Sequence, residues 1–206
     1  MSDANVRSSF ERAETKEVSR TKYLAITGML SAIAFILQFF EFPIPLMPSF
    51  IKLDFSDLPA LLGAFALGPV SGVAIELVKN LIHLTLSQTG GVGELANFLI
   101  GAAFVFPAGL IYKRSKTKKN AIIGCVVGAL CMAALSFPIN TYITYPFYEN
   151  FMPREAIVAA YKVIFPAVNE LWQCLLIFNV PFTFFKAVCS VIITLVIYKR
   201  ISPILH

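Results

Sequence analysis

Charged and amide side chains lie inside several apolar segments of this chain, where they are costly unless other polar groups meet them. Lys186 lies within the apolar run NVPFTFFKAVCSVIITLVIYKR, residues 179–200, whose other charges are at its end. A run of about 20 apolar residues is long enough to span a membrane as a helix. Counted from Pro181 at about 1.5 Å per residue, Lys186 is expected on the order of 8–10 Å below the surface. That is the depth of a pocket open to one side.

Amides and a carboxylate from other segments are expected at a similar depth. Glu94 and Asn97 lie in the first turns of one apolar run, and Asn140 lies in the outer part of another. Glu94 can also serve the helix dipole alone. A few donors and acceptors among Phe, Leu and Tyr side chains suit a flat, uncharged, hydrogen-bonding ligand. We therefore predict a binding cavity around Lys186.

A second polar group occupies the apolar run Val70–Leu86, which contains Glu76, Lys79 and His83. Glu76 and Lys79 are three residues apart on one helix face and can form a buried ion pair. Alternatively, the three side chains form a proton relay of an ion-coupled transporter. His83 has no partner at metal-ligand spacing, so no metal site is predicted.

Catalytic motifs are absent from the sequence. It contains no GxSxG, no HExxH, no Cys/His pair and no GxxxxGK[ST] loop. The chain is therefore predicted not to be an enzyme, and it cannot hydrolyse ATP alone.

The composition is that of an integral membrane protein. Of the 206 residues, 57% are hydrophobic and only 14% are charged, whereas soluble domains average about 25% charged. The net charge of +5 reflects basic residues at helix ends and does not indicate nucleic-acid binding. The four cysteines are interpreted as packing residues. We predict a disordered or loosely surface-bound tail, 1–22, and one membrane domain, 23–206.

The apolar runs are joined by a Pro-rich segment and several short loops. The expected helices are Tyr23–Phe40, Leu58–Leu67, Val70–Leu86, Glu94–Tyr112, Ala121–Tyr145 and the last span from Asn179. The segment Glu41–Pro59 contains four prolines and is not expected to be helical. It should cover a cavity or the membrane surface, and Asp57 is expected to cap the next helix. Residues 149–178 form a long connection of one or two short helices, one of them amphipathic.

The first span carries a face of small residues, Ala25, Gly28 and Ala32. Such a face permits close helix packing, either within this protein or against a partner subunit. The basic loop Lys113–Asn120 is assigned to the cytoplasm by the positive-inside rule. Alternation of spans then places both termini on the cytoplasmic side of the membrane. It places the Pro-rich segment and residues 149–178 on the external side.

Four segments of the chain carry a resemblance to a known family: KLDFSDLPALL, GPVSGVAIELVKNLIHL, GELANFLIGAAF and PFTFFKAVCSVIITLVIYKRISPIL. They resemble the substrate-binding membrane subunits, or S components, of energy-coupling-factor (ECF) vitamin transporters, and most of all the riboflavin-specific type. The resemblance implies an all-α bundle of six transmembrane helices in the cell membrane. It also implies a coupling subunit and two ATP-binding subunits as partners, with riboflavin as transported ligand and no cofactor.

The resemblance also implies particular ligand contacts. Lys186 matches the lysine of the family pattern Pro-Phe-Asn-x-x-Lys, whereas Thr183 replaces its asparagine. Asn140 corresponds to a ligand-contacting asparagine, and Leu53, Asp54 and Phe55 match the loop that covers the ligand. The small face on the first span is similar to the face by which S components dock on the coupling subunit. The leading hypothesis is a riboflavin-binding S component, and the alternative is an ion-coupled secondary transporter.

Overall fold

Helices form nearly all of the regular structure in the computed structural model. It describes residues 3–87 and 89–205, and the side chains of residues 20–87 and 89–197. Within these residues the α-helices are α1 (Asp3–Phe39), α2 (Asp57–Ala66), α3 (Pro69–His83), α4 (Val92–Arg114), α5 (Lys118–Ile139), α6 (Tyr145–Tyr148), α7 (Arg154–Lys162), α8 (Leu171–Cys174) and α9 (Val180–Leu205). Two-residue strands β1 (Phe42–Pro43) and β2 (Lys52–Leu53) pair antiparallel between α1 and α2.

Four helical segments of the described chain are long and apolar enough to cross a membrane: Arg20–Phe39, Val92–Arg114, Lys118–Tyr148 and Leu171–Ile197. The third joins α5 to α6, and the fourth joins α8 to α9, each through a π-helical turn. The predicted all-α membrane architecture is therefore confirmed. The short helices α2 and α3, with 10 and 15 residues, lie between the first and second of these segments.

Helix α2 occupies the centre of the bundle, because every one of its ten residues is buried. It packs against α1, α3, α4 and α9. Small side chains make this possible: a Cβ atom at Gly72 of α3 would lie only 2.7 Å from the Cβ atom of Ala64. The N-terminus of α2 is thus enclosed by protein, which determines the surroundings of the polar residues beside it.

Helices α4 and α5 approach each other closely through glycines of α5. A Cβ atom at Gly124 would lie 2.7 Å from the carbonyl oxygen of Ala108, and one at Gly128 would lie 2.5 Å from that of Phe104. These contacts are with backbone atoms, which cannot move aside as a flexible side chain can. Gly124 and Gly128 are therefore packing positions between α4 and α5.

The small face of α1 lies on the outside of the bundle. Ala25, Gly28 and Ala32 are exposed, and a Cβ atom at Gly28 would meet nothing within 4 Å. The buried face of α1 is instead formed by larger residues such as Ile26 and Leu30. The alternative that the small face packs inside this protein is therefore wrong, and docking on a partner remains a prediction.

The N-terminal tail and the last span compare differently with the sequence prediction. Helix α1 begins at Asp3, so the backbone is helical from that residue; side chains up to residue 19 lie outside the described part, and the disordered or loosely surface-bound tail stays a prediction. The last span begins at Leu171 and not at Asn179, so the long connection is limited to about 149–170 and contains α7. The sequence could not locate this start, because Trp172 and Gln173 interrupt the apolar run.

The glycine contacts between α4 and α5 predict a difference between two alanine substitutions. Gly128→Ala should lower the free energy of unfolding by about 1–3 kcal/mol, because its Cβ atom collides with the Phe104 carbonyl. Gly28→Ala is the control, since nothing surrounds that site. Thermal unfolding of detergent-purified protein measures both. Equal unfolding temperatures for the two variants would contradict the packing described here.

Candidate functional site

A cavity of about 690 Å³ opens at one end of the bundle. Its walls include the end of α1, the α1–α2 connection, the segment joining α3 to α4, the first turns of α4, the two π-helical turns and the start of α9. Six of the eight predicted ligand-contacting residues line it: Asp54, Glu94, Asn97, Asn140, Thr183 and Lys186. Asp54 and Lys186, which are more than 130 positions apart in the sequence, thus line the same cavity.

The other two predicted contacts, Leu53 and Phe55, are not among the described residues that line this cavity. Leu53 is buried in β2, and the ring of Phe55 contacts that of Phe42, with centroids 6.3 Å apart. The preceding residues of the same segment, Phe50, Ile51 and Lys52, form part of the wall instead. The Pro-rich segment therefore contributes to the cavity through residues 50–52 and through Asp54, which is the member of the predicted stretch 53–55 that lines it.

Carboxylates meet the ammonium group of Lys186. Its Nζ atom donates to Asp54 Oδ2 at 2.9 Å and lies 3.2 Å from Asp57 Oδ2. The lysine side chain is only 9% exposed, so this pairing compensates for the loss of water. We expected amides of neighbouring helices to provide this contact, and that expectation is wrong, because the partners are carboxylates. Asn140 borders the same cavity without a hydrogen bond to Lys186.

Lys79 of α3 is the centre of a second, fully buried set of contacts. Its Nζ atom donates to Ser56 Oγ at 2.7 Å and to Asp57 Oδ1 at 2.8 Å, and it lies 2.8 Å from Glu76 Oε2. The predicted Glu76–Lys79 ion pair is confirmed. Asp57 does not cap α2 as predicted, because Ser56 is the N-cap residue and the Asp57 carboxylate faces two lysines.

Asp57 joins the two lysines into one buried charge network, composed of Asp54, Asp57, Glu76, Lys79 and Lys186. One Asp57 oxygen contacts Lys79 and the other contacts Lys186. The network connects the start of α2 with α3 and α9, and Asp54 and Lys186 bring it to the cavity wall. Glu76 packs against Gly101 of α4, where a Cβ atom would lie 2.3 Å from Glu76 Oε2. The buried charge network and the cavity wall therefore depend on the same packing between helices.

Glu94 anchors the segment between α3 and α4 through hydrogen bonds to its carboxylate. Its Oε1 atom accepts from His83 Nδ1 at 2.9 Å, and its Oε2 atom accepts from Ser87 Oγ at 2.7 Å and from Thr89 Oγ1 at 3.3 Å. Both carboxylate oxygens are thus used to order the cavity rim. His83 is part of this group, whereas Glu76 and Lys79 belong to the deeper network.

Two π-helical turns shape the cavity, at Asn140–Thr144 and Leu175–Asn179. Each ends two residues before a proline, Pro146 or Pro181. A proline has no N–H to donate, and its ring collides with the carbonyl four residues earlier, which lies inside the π turn in both cases. Such turns are frequent at functional sites. Here they place Asn140, Thr144 and Asn179 at the cavity.

Several polar wall residues were not predicted from the sequence, namely Gln38, Thr144, Tyr145, Tyr148 and Asn179. Of these residues, Asn179 had the clearest sequence signal, since it is an amide at the start of an apolar run and two residues before Pro181.

The cavity wall offers amide, hydroxyl, carboxylate and ammonium groups beside aromatic rings. Within the described residues, no group of three or more His, Cys, Asp or Glu could hold a metal ion. The arrangement is suited to reversible binding of a polar aromatic ligand.

Comparison with known proteins gives consistent results. Residues 22–198 match the family model described as "ECF transporter, substrate-specific component". The chain is 35% identical to the riboflavin transporter RibU of Staphylococcus aureus (strain TCH60) over 188 residues, covering 91% of this chain and 94% of that protein. It is 28% identical to the riboflavin transporter FmnP of Bacillus subtilis (strain 168) over 187 residues, covering 89% and 94%.

A solved structure of the S component of a bacterial ECF transporter is also similar. It superposes with a TM-score of 0.71 at 34% sequence identity, covering 90% of this chain and 98% of the solved one. The similarity in sequence and in backbone thus extends over nearly the whole chain.

The buried charge network predicts a large cost for removing one lysine. Lys79→Met should destabilise the protein by about 3–5 kcal/mol, because Asp57 and Glu76 then lose their buried partner. Lys52→Met is the matched control: Lys52 pairs with Glu41 at the surface, where such pairs contribute at most about 1 kcal/mol. Yield and thermal unfolding in detergent measure the difference. Similar stability of both variants would show that the network contributes little to the fold.

Proposed function

This chain belongs to the family of substrate-specific components of ECF transporters, and from that premise we propose that it binds riboflavin on the outer side of the cell membrane for uptake. It is a membrane protein of a transport family and not an enzyme. Two relatives that match most of its length are named riboflavin transporters. Riboflavin is the transported ligand in this proposal, and the chain itself requires no cofactor.

The observation that carries the proposal is the chemistry of the cavity wall. Asn140, Thr183 and Lys186 come from two different spans and border one space of about 690 Å³. Riboflavin has a flat ring with polar edges and a hydroxylated side chain, so it needs both aromatic contacts and hydrogen bonds. We assign the ring-edge or hydroxyl contacts to Lys186 and Asn140, with Thr183 and Asn97 as further polar contacts. Leu53, Asp54, Phe55 and Glu94 remain proposed members of the site.

The direction of uptake is inferred from the ends of the helices. The first turn of helix α4 lines the cavity through Glu94, and the helix ends at the basic loop that precedes α5. The cavity therefore lies at the opposite end of the bundle from Lys113 and Arg114. If that loop is cytoplasmic, as the positive-inside rule predicts, the cavity opens to the outside and both termini are cytoplasmic.

We propose six transmembrane helices in total, counting α2 and α3 with the four longer spans. Helix α2 is only about 15 Å long at 1.5 Å per residue, which is short for a span. Its complete burial lets it end within the membrane, since no residue of it must reach lipid or water. In this count α5 with α6 is the fifth helix, and α8 with α9 is the sixth.

Transport requires partners, because this chain has no nucleotide-binding motif. We propose that it associates with an ECF module composed of a transmembrane coupling subunit and two ATP-binding subunits. The exposed face of Ala25, Gly28 and Ala32 is the proposed docking surface. The ion-coupled alternative would need His83 to act with Glu76 and Lys79, but His83 is bonded to Glu94. No observation on the site favours that alternative.

Riboflavin binding by the purified protein is the direct test. Protein purified in detergent, freed of bound ligand and titrated with riboflavin should quench flavin fluorescence with saturation at one ligand per chain. Lumichrome, which lacks the hydroxylated side chain, serves as a comparison ligand. Absence of any riboflavin binding by folded protein would contradict the proposal.

Substitution of Lys186 should weaken this binding. Lys186→Ala is expected to lower riboflavin affinity more than tenfold, equivalent to about 1.4 kcal/mol, because the ammonium group is lost from the wall. Asn140→Ala should also weaken binding, and it leaves the buried ion pairs intact. Lys162→Ala on α7 is the control, since Lys162 is exposed. Wild-type affinity of both cavity variants would exclude the assigned contacts.

A further inference from the structure

Three buried side chains, Tyr145, Tyr161 and Asn179, form a closed ring of hydrogen bonds. Tyr161 Oη donates to Asn179 Oδ1 at 2.7 Å, and Asn179 Nδ2 donates to Tyr145 Oη at 3.0 Å. The two phenol oxygens are 2.5 Å apart. Because the single proton of Tyr161 is used toward Asn179, Tyr145 must donate to Tyr161. Each member therefore donates one hydrogen bond and accepts one.

The ring extends from the cavity wall to a helix outside it. Tyr145 and Asn179 line the cavity, whereas Tyr161 belongs to α7 and is not among the described wall residues. Tyr161 is completely buried, with its ring against those of Phe50 and Phe178 at centroid distances of 6.0 and 5.2 Å. Burial raises the pKa of Tyr161 well above its ordinary value, so the phenol keeps its proton.

The ring holds the amide of Asn179 in place. An asparagine side chain has two N–H donors and an oxygen with two lone pairs, and its two ends have nearly the same shape. Tyr161 binds the oxygen and Tyr145 binds the nitrogen. One N–H and one lone pair remain unused by the ring. Turning the amide over would only reverse the direction of all three hydrogen bonds, so the ring holds the amide at this place in the cavity wall in either orientation.

We propose that Asn179 is a ligand-contacting residue and that Tyr161 is a positioning residue that acts through it. This inference rests on the proposed function, because the ligand is riboflavin in both. The remaining N–H and lone pair of Asn179 suit the alternating acceptors and donors along the polar edge of a flavin ring. Tyr161 anchors that amide in the cavity wall without touching the ligand.

A double-mutant cycle on riboflavin affinity tests the proposal. Asn179→Ala should weaken binding about tenfold, and Tyr161→Phe about fivefold, equivalent to about 1.4 and 1 kcal/mol. In the Asn179→Ala background, Tyr161→Phe should change the affinity less than twofold, because no amide is left to hold in place. Tyr142→Phe is the control, since Tyr142 lies in the first π turn but is 78% exposed; its affinity should match that of the wild type.

The possible outcomes distinguish the positioning role of Tyr161, the ligand contact of Asn179 and the proposed function from one another. An equal loss from Tyr161→Phe in both backgrounds would indicate a general structural effect and overturn the positioning role. Wild-type affinity of Asn179→Ala would overturn the ligand contact, and this variant is informative even when Tyr161→Phe fails to fold. A wild-type protein without riboflavin affinity would contradict the proposed function itself. Normal wild-type binding with unaffected variants would contradict only the present inference.

Discussion

Two lysine side chains lie inside an apolar helical bundle, and the arrangement of the remaining polar residues depends on their pairing. An unpaired ammonium group away from water is too costly to persist, so each lysine requires acidic partners. Asp57 contacts both Lys79 and Lys186, and Glu76 and Asp54 complete the pairs. Since these residues come from α2, α3, α9 and the segment before α2, satisfying the charges also fixes how those elements meet.

The same pairing connects the interior to the binding cavity. Lys186 lies where the network reaches the wall, so its ammonium group is held in place before any ligand arrives. A preorganised donor loses little freedom on binding, which favours affinity. Asp54 contacts Lys186 from the Pro-rich segment, and this contact joins that segment to the last span. The position of the segment and the position of the lysine are therefore set together.

Much of this arrangement could be predicted from the sequence. Long apolar runs indicated the spans, and four prolines excluded a helix from the α1–α2 connection. The predicted depth of Asn97, Asn140 and Lys186 in the membrane indicated a common cavity, which all three line. The partners of Lys186 could not be assigned, because a spacing of 132 residues between Asp54 and Lys186 leaves no local signal. The π turns and the contribution of Asn179 were also missed. Prolines 146 and 181 were visible, but whether a proline ends, bends or widens a helix depends on its packing.

The central claim is that Lys186, held by the buried network, contacts the bound vitamin from the cavity wall. The most direct measurement is an experimental structure of the protein with riboflavin. We expect Lys186 Nζ within about 3.5 Å of a ligand oxygen or nitrogen atom, with Asp57 still bridging Lys79 and Lys186. A ligand bound elsewhere, or an ammonium group directed away from it into bulk solvent, would contradict this account.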